Sequence, residues 1–300
     1  MRVPTISIYN SSKYQLGRTF TEYSNAADTV NTGKKIQSPS DDPVGYSLVL
    51  NIDSTLSQLD QLHENIDTGL TWLTTSESTL DSVRETILEA KVIAIGAVNG
   101  SYNSDDFDTA AGQVNELLLQ LVDSANTSVN GQYIFSGTKT DTKPYELDIS
   151  VNPPVISYAG NDAAFTISTG TSSRVEVGYP GPDVFGDVVA GNDIFNLLIQ
   201  MQTDLTTTGG ANLDTIMDEL DAHYGNVTNM ISDIGAKAKR LETKESVIND
   251  FEVTFAGQKS NLEDADLAEA ATDLALRQTA YEAVLSATSK IISMSLVDYI

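Results

Sequence analysis

The sequence predicts a mainly α fold: an elongated bundle of long helices, or coiled-coil rod, with a small β-rich insert in the middle of the chain. Three observations support this fold class. Apolar residues recur at alternating spacings of three and four at both ends of the 300-residue chain. No proline occurs between residues 44 and 97, whereas prolines and short alternating apolar runs cluster between 144 and 186. Spacings of three and four place side chains on one face of a helix, and alternation is typical of strands.

The two apolar stripes lie near opposite ends of the chain. Their members are Leu16, Phe20, Tyr23, Ala27 and Val30 in the first, and Leu267, Leu274, Tyr281, Leu285 and Ile292 in the second. A stripe this narrow is typical of a coiled-coil seam and stays dry only against another stripe. Each end therefore needs a partner, either the other end of the same chain or the same segment of a neighbouring subunit. We expect these ten residues to form an assembly interface.

Charge also distinguishes the two ends. Residues 1–40 carry five basic and two acidic side chains, whereas residues 260–300 carry two basic and seven acidic side chains. Opposite charges on facing helices favour pairing and help to set the register. Exposed ion pairs contribute only about 0.2–1 kcal/mol each, so the apolar stripes must supply most of the stability.

The first helix pattern, over residues 12–30, stops before Gly33, which can adopt the left-handed conformation that ends a helix. A loop follows, and its last residues predict the next helix start. Ser40, Asp41 or Asp42 can cap that helix, and Pro43 suits its first turn.

The remaining elements follow in chain order. The apolar stripe over 44–97 predicts a helix of roughly 75–80 Å at 1.5 Å per residue. Further predicted elements are a helix over 107–129, an aromatic strand over 132–137, β runs at 155–158, 164–167 and 174–177, and helices over 193–206 and 213–255. Gly209 and Gly210 separate the last two helices.

These elements predict five segments. They are an N-terminal assembly helix and loop over 1–43, rod helices over 44–140, a β-rich outer insert over 141–191, rod helices over 192–257, and a C-terminal assembly helix over 258–300 that pairs with the first segment.

Composition excludes several classes of function. With 42 acidic and 17 basic residues the net charge is −25, which disfavours binding to nucleic acid or to an anionic membrane. No apolar run approaches the roughly 20 residues of a membrane span, and no cleavable secretion signal is expected. The absence of cysteine excludes disulfides and thiol chemistry.

No catalytic constellation emerges from the sequence, so we predict neither an enzyme nor a cofactor or metal site. His63 and His223 are interpreted as ordinary helix residues without a metal-spaced partner. The carboxylates from Glu263 to Asp266 are interpreted as the start of a helix, where the macrodipole favours negative charge.

Several blocks of sequence resemble the flagellin family. The block Asn31–Gly45 (NTGKKIQSPSDDPVG) is similar to the family's connection between its N-terminal helix and rod domain. The blocks Leu262–Ala270 (LEDADLAEA), Gln278–Leu285 (QTAYEAVL) and Ser295–Ile300 (SLVDYI) resemble the hook–filament junction branch of the family. The similarity extends along nearly the whole chain and is weakest within residues 141–179.

This resemblance implies a structural adaptor of the bacterial flagellum that joins the hook to the filament. The implied partners are hook-associated protein 1, flagellin, further copies of the chain in a ring, and a cytoplasmic chaperone before export. The implied location is extracellular, reached unfolded through the flagellar type III apparatus. One alternative is a short flagellin that polymerises by itself, although the Ser295–Ile300 ending and the Gln132–Thr140 block argue against it. An acidic secreted hydrolase is an alternative from another class.

Overall fold

The computed structural model describes residues 5–99, 102–170 and 172–297. Its helices are α1 (Thr5–Thr32), α2 (Pro43–Val98), α3 (Ser104–Ala125), α4 (Gly181–Phe185), α5 (Ile194–Thr207), α6 (Leu213–Glu263) and α7 (Leu267–Val297). Its strands are β1 (Ser128–Val129), β2 (Gln132–Tyr133), β3 (Tyr145–Asp148), β4 (Val155–Tyr158), β5 (Thr166–Gly170) and β6 (Ser173–Glu176). The predicted fold class, mainly α with long helices and a small β-rich region, is confirmed.

The chain divides into two compact units. The first comprises residues 1–58 and 250–300, and the second comprises residues 59–249. The long helices α2 and α6 each contribute residues to both units. The five predicted segments describe roles rather than compact units, and their boundaries stay predictions. Among the described residues, no helix combines the length and apolar composition needed to cross a bilayer.

An asparagine residue caps each end of helix α3. Asn103 accepts hydrogen bonds from the backbone N–H groups of Asp105 and Asp106, and the Asp106 carboxylate accepts the Asn103 N–H in return, which forms a capping box. At the other end, the Asn126 side-chain amide donates to the carbonyls of Val122 and Tyr145. Because these bonds fix Asn126, the helix ends at Ala125, short of the Val129 end that the sequence pattern predicts.

The predicted aromatic strand over 132–137 is wrong beyond Tyr133. A two-residue turn, with Asn130 and Gly131 at positive φ, joins β1 to β2, but the following backbone leaves the ladder. Instead, Ile134 bonds to Thr127, the Phe135 carbonyl accepts the Gly181 N–H, and the Ser136 carbonyl accepts the Asn161 N–H. Three separate segments therefore supply the hydrogen-bond partners of this backbone.

The six strands form three separate antiparallel pairs, β1–β2, β3–β4 and β5–β6. In the second unit, α3 and α5 pack together beside β3 and β4. An aromatic cluster fills the space between them: Tyr145, Phe185 and Phe195 have ring centroids 4.8–5.4 Å apart. These rings are fully buried, so this unit has a conventional apolar core.

Tyr179 joins the segment after β6 to helix α6. Its hydroxyl donates to Asp233 Oδ2 at 2.5 Å, and Lys237 Nζ lies 3.1 Å from the same oxygen and 4.4 Å from the centroid of the Tyr179 ring. The hydrogen bond from Tyr179, aided by Lys237, lowers the pKa of Asp233 from its ordinary value of 3.8. The ionised carboxylate is therefore the form that stabilises this contact.

We expect Tyr179→Phe to destabilise the protein in a pH-dependent way. Because the folded state lowers the pKa of Asp233, the stabilisation is present above pH 3.8 and is lost as the pH falls through the folded pKa. The deficit in the free energy of unfolding should be largest near pH 6 and should shrink below pH 4. Urea unfolding across this range measures the deficit, and carbon NMR of the Asp233 carboxyl should show its pKa rising in the variant.

The control is Tyr224→Phe, because the Tyr224 hydroxyl forms no hydrogen bond with the described residues. A Tyr179→Phe deficit that stays constant from pH 6 to pH 3 would contradict the role given to Asp233.

Candidate functional site

The two terminal helices pack against each other within the first unit. Their contact is centred on Tyr281 of α7. The Tyr281 ring stacks on Tyr23 of α1, with centroids 5.9 Å apart and planes 8° apart, and lies 5.7 Å from the Phe20 ring. Aromatic pairs of this kind contribute about 0.5–1.5 kcal/mol beyond their buried area. Tyr281 is thus the aromatic anchor of the pair.

An ion pair crosses the same contact. Arg277 Nη1 of α7 lies 2.8 Å from Glu22 Oε2 of α1, and Arg18 and Asp273 bind the same two side chains from their own helices. The bonds from Asp273 and Glu22 raise the pKa of Arg277 further above neutrality. This arrangement follows the opposite charges of the two ends, although exposed pairs add little to stability.

The pair covers the predicted stripes only in part. Half-buried members are Leu16, Tyr23, Ala27, Val30, Leu274 and Tyr281. Phe20, Leu267 and Leu285 remain 52%, 58% and 46% exposed. The side chain of Ile292 lies outside the described residues. Among the described side chains of the pair, Ala26 and Thr288 are buried; Thr288 lies at the three- and four-residue spacing of the second stripe, whereas Ala26 lies outside the first.

Replacing Tyr281 by alanine should loosen α1 from α7. The substitution removes the ring that both Phe20 and Tyr23 contact, and the expected cost is about 1–3 kcal/mol for two aromatic contacts. Hydrogen exchange along α1 should accelerate accordingly. Tyr281→Phe is the matched control, because it keeps the ring and should leave the exchange rates close to wild type. Equal rates in Tyr281→Ala and wild type would show that the rings do not hold the helices together.

The loop after α1 is fixed by a glycine and two aspartates. Gly33 adopts φ +72° and its N–H donates to the Thr29 carbonyl, which ends α1. Asp42 caps α2 by accepting the N–H groups of Val44 and Gly45 at 3.1 and 3.0 Å. The other two candidate caps form bonds within the loop instead. The Asp41 carboxylate accepts the N–H groups of Gln37 and Ser38, and the Ser40 N–H donates to Ser38 Oγ.

The bonds that Asp41 accepts from the loop lower its pKa. The backbone N–H groups of Gln37 and Ser38 are the main causes.

Pro43 occupies the first position of α2, where no N–H is required. Further along, a Cβ on Gly45 would lie 2.6 Å from Ile36 Cδ1, so glycine is what allows the buried Ile36 to approach the helix.

A second contact joins the loop to the junction of α6 and α7. We call it the clasp; it consists of Gly33–Ile36 and Glu263–Ala265. The Lys35 N–H donates to the Glu263 carbonyl at 2.7 Å, and the Ala265 N–H donates to the Gly33 carbonyl at 2.8 Å. Lys34 and Asp264 form an antiparallel bridge. The clasp therefore fixes where the two terminal helices begin to run together.

Glu263 forms the charged side-chain contacts of the clasp. Its side chain is only 11% exposed and binds Lys34 Nζ at 2.6 Å, while Lys259 Nζ lies 3.8 Å away and also binds Asp53 at 2.6 Å. These carboxylates, Asp53 first, raise the pKa of Lys259. The interpretation of Glu263 as the start of a helix is wrong, because it ends α6; Asp266 caps α7 instead.

We expect Glu263→Gln to open the clasp without unfolding the second unit. The neutral amide loses its charged bonds to Lys34 and Lys259, and hydrogen bonds to charged groups contribute about 1.5–3 kcal/mol when well buried. Since Lys34 is 43% exposed, the lower end of that range applies. The amides of Lys35 and Ile36 should then exchange faster.

Glu242→Gln is the control for this substitution. It removes an exposed carboxylate that pairs with Lys239 in the second unit and should not change exchange at Lys35. Unchanged exchange at Lys35 and Ile36 in Glu263→Gln would show that the backbone bonds alone hold the clasp.

The two histidines lie in different surroundings. His63 of α2 has Asp67 and Glu245 beside its two ring nitrogens, at 3.6 and 3.7 Å. His223 of α6 is partly buried, and this burial lowers its pKa. Among the described residues, neither histidine side chain forms a hydrogen bond to a serine or threonine hydroxyl that could act as a nucleophile.

Two family models match the chain. The bacterial flagellin N-terminal helical region matches residues 3–140, and the bacterial flagellin C-terminal helical region matches residues 217–300. The first model covers α1 to β2, and the second covers nearly all of α6 and the whole of α7. The chain belongs to the flagellin family. As its relatives are structural proteins of the flagellum, the prediction of a structural protein rather than an enzyme is confirmed.

Individual relatives of this flagellin-family chain agree with that assignment. Flagellar hook-associated protein 3 of Escherichia coli K12 is 24% identical and aligns with 99% of the chain and 98% of its own length. The flagellin FljK of Caulobacter vibrioides is 22% identical over 91% of the chain and 88% of its own length. The crystal structure of hook-associated protein 3 from Legionella pneumophila, 18% identical, has a TM-score of 0.63 over 71% of the chain and 98% of its own. The chain is a structural component of the bacterial flagellum.

Proposed function

We propose that this flagellin-family chain is the adaptor that joins the flagellar hook to the flagellin filament. The observation that carries the proposal is the small apolar core of the first unit. In the described part of that unit, the buried apolar side chains are Ala26, Ile36 and Val49. Fully burying a valine or isoleucine contributes about 1.5–3 kcal/mol, which is little against the entropy of ordering two long helices.

Neighbouring subunits would supply the missing burial. Phe20, Leu267 and Leu285 are about half exposed on the α1–α7 pair, and Leu276 is 65% exposed on α7. Exposed apolar side chains gathered on one helix pair are typical of an interaction site. We assign the assembly contacts to the two stripes, with the loop from Gly33 to Pro43 setting the position of α1.

The similarity to hook-associated protein 3 supports a set of partners for this proposal. We assign hook-associated protein 1 to the hook side of the adaptor and flagellin to the filament side, with further copies of the chain forming a ring. A cytoplasmic chaperone would hold the chain before type III export, and no nucleic acid or membrane is involved. The acidic composition and the similarity along 99% of the chain support this assignment.

A short flagellin is the second candidate, because Caulobacter flagellin aligns with 91% of the chain. The two candidates differ in self-assembly. An adaptor should form rings or short oligomers, whereas a filament subunit elongates indefinitely. Incubating the purified chain with hook seeds and no flagellin separates them: filaments longer than a few subunit layers would favour the flagellin.

We expect Leu285→Asp to give a folded protein that cannot join the hook to the filament. An unpaired carboxylate buried at a subunit contact costs about 3–5 kcal/mol, which weakens association by more than about 100-fold. The variant should show wild-type circular dichroism but no filament growth in a strain that lacks the wild-type gene. Val189→Asp, at a position that is 95% exposed in the second unit, is the matched control and should support filaments. Normal filaments grown with Leu285→Asp would remove Leu285 from the interface.

A further inference from the structure

The second unit contains a cluster of possible metal ligands that the assembly function does not use. His63 and Asp67 lie one turn apart on α2, and Glu245 lies opposite them on α6. One donor atom from each residue lies within 4.8 Å of the other two. We propose that His63 and Glu245 bind a divalent transition-metal ion, with Asp67 orienting the imidazole, and that Zn²⁺ is the best match to these imidazole and carboxylate ligands.

The separations fit this assignment. Zinc binds imidazole nitrogen and carboxylate oxygen at about 2.0–2.2 Å, so two ligands of a tetrahedral site lie about 3.4 Å apart. His63 Nε2 lies 3.7 Å from Glu245 Oε1, so both atoms reach one ion after a shift of a few tenths of an ångström. The other ring nitrogen, Nδ1, lies 3.6 Å from Asp67 Oδ2.

This arrangement gives each residue a role. Nε2 of His63 and Oε1 of Glu245 are the direct ligands. Asp67 accepts the Nδ1–H bond as the side chains close around the ion, and so fixes the tautomer that leaves Nε2 free to bind it. A carboxylate behind a metal-binding histidine is a common arrangement in zinc sites. Solvent completes the coordination, because the three side chains are 30–56% exposed.

The local charge favours a cation at this place. Between residues 55 and 70, α2 carries the carboxylates Asp60, Glu64 and Asp67 and no lysine or arginine. On α6, the neighbouring Lys244 donates to Ser173 Oγ at 3.1 Å, and Lys239 pairs with Glu242. A bound ion would therefore join α2 to α6 in a field that is already negative.

The test uses the fact that the chain has only two histidines. In proton–carbon NMR of the full-length protein, titration with ZnCl₂ should shift the ring signals of His63 and leave those of His223 unchanged. We expect the shift to saturate with added Zn²⁺, with an affinity below that of a structural zinc site because few protein ligands are present and the site remains open to water. The midpoint of thermal unfolding should rise with Zn²⁺.

Substitutions assign the ligands. His63→Gln should abolish the thermal shift, whereas His223→Gln, the control for the other histidine, should keep it. Glu245→Gln and Asp67→Asn should each weaken zinc binding by roughly 10-fold or more. Because His63 is partly exposed, these variants are expected to fold, which circular dichroism checks.

Three results would overturn the proposal. The first is a His63 signal that does not move at 1 mM Zn²⁺, which would leave the three groups as an ion-pair cluster. The second is binding that survives His63→Gln, which would place the ion elsewhere on the acidic surface. The third is unchanged affinity in Glu245→Gln. None of these results bears on the adaptor function, which is tested through the terminal helices.

Discussion

The packing of α1 against α7 is the contact on which the first unit depends. It brings together residues more than 250 positions apart, as the bond between Arg277 and Glu22 illustrates. Such a contact carries a large loop-closure entropy, which must be offset by whatever fixes the two helices side by side. The stacked rings of Tyr23 and Tyr281 supply part of this stabilisation, and the clasp adds to it by fixing the register where the helices begin.

The clasp works because it combines backbone and side-chain bonds at one place. The Glu263 carbonyl accepts from Lys35, and its carboxylate binds Lys34, so one residue holds two successive positions of the loop. Gly33 makes this possible by turning the chain at positive φ, and its carbonyl accepts the Ala265 N–H from the other side. A loop fixed in this way sets the direction of α1 relative to the start of α2, and thereby determines which face of α1 meets α7.

Much of the fold could be predicted from the sequence because the long helices show strong periodicity. The limits of α2 agree with the pattern to within one residue at each end, since Pro43 begins it and the polar stretch after Val98 ends it. Where periodicity was weak, tertiary contacts decided. Asn126 ends α3 through its bonds to Tyr145, and Phe135 leaves the β ladder to pack on Phe185. Neither partner could be identified from local sequence.

The candidate site shows the same limit. Periodicity identified Tyr23 and Tyr281, and charge indicated that the two ends attract, because both signals lie within single helices. The role of Glu263 could not be predicted from the sequence, because its partner Lys34 lies 229 positions away, whereas Lys259 is a near neighbour. Similarly, the four-residue spacing of His63 and Asp67 was visible in the sequence, but Glu245 joins them only through the packing of α6 on α2.

The contrast between the two units gives the assembly argument its physical basis. The second unit buries its aromatic cluster of Tyr145, Phe185 and Phe195 within the single chain. The described part of the first unit has almost no such core, although apolar residues recur at spacings of three and four along α1 and α7. A sequence that maintains apolar periodicity where the single chain cannot bury it is specified for a larger assembly, because exposed apolar stripes are stable in water only when another surface covers them. The net charge of −25 opposes non-specific association between separate chains.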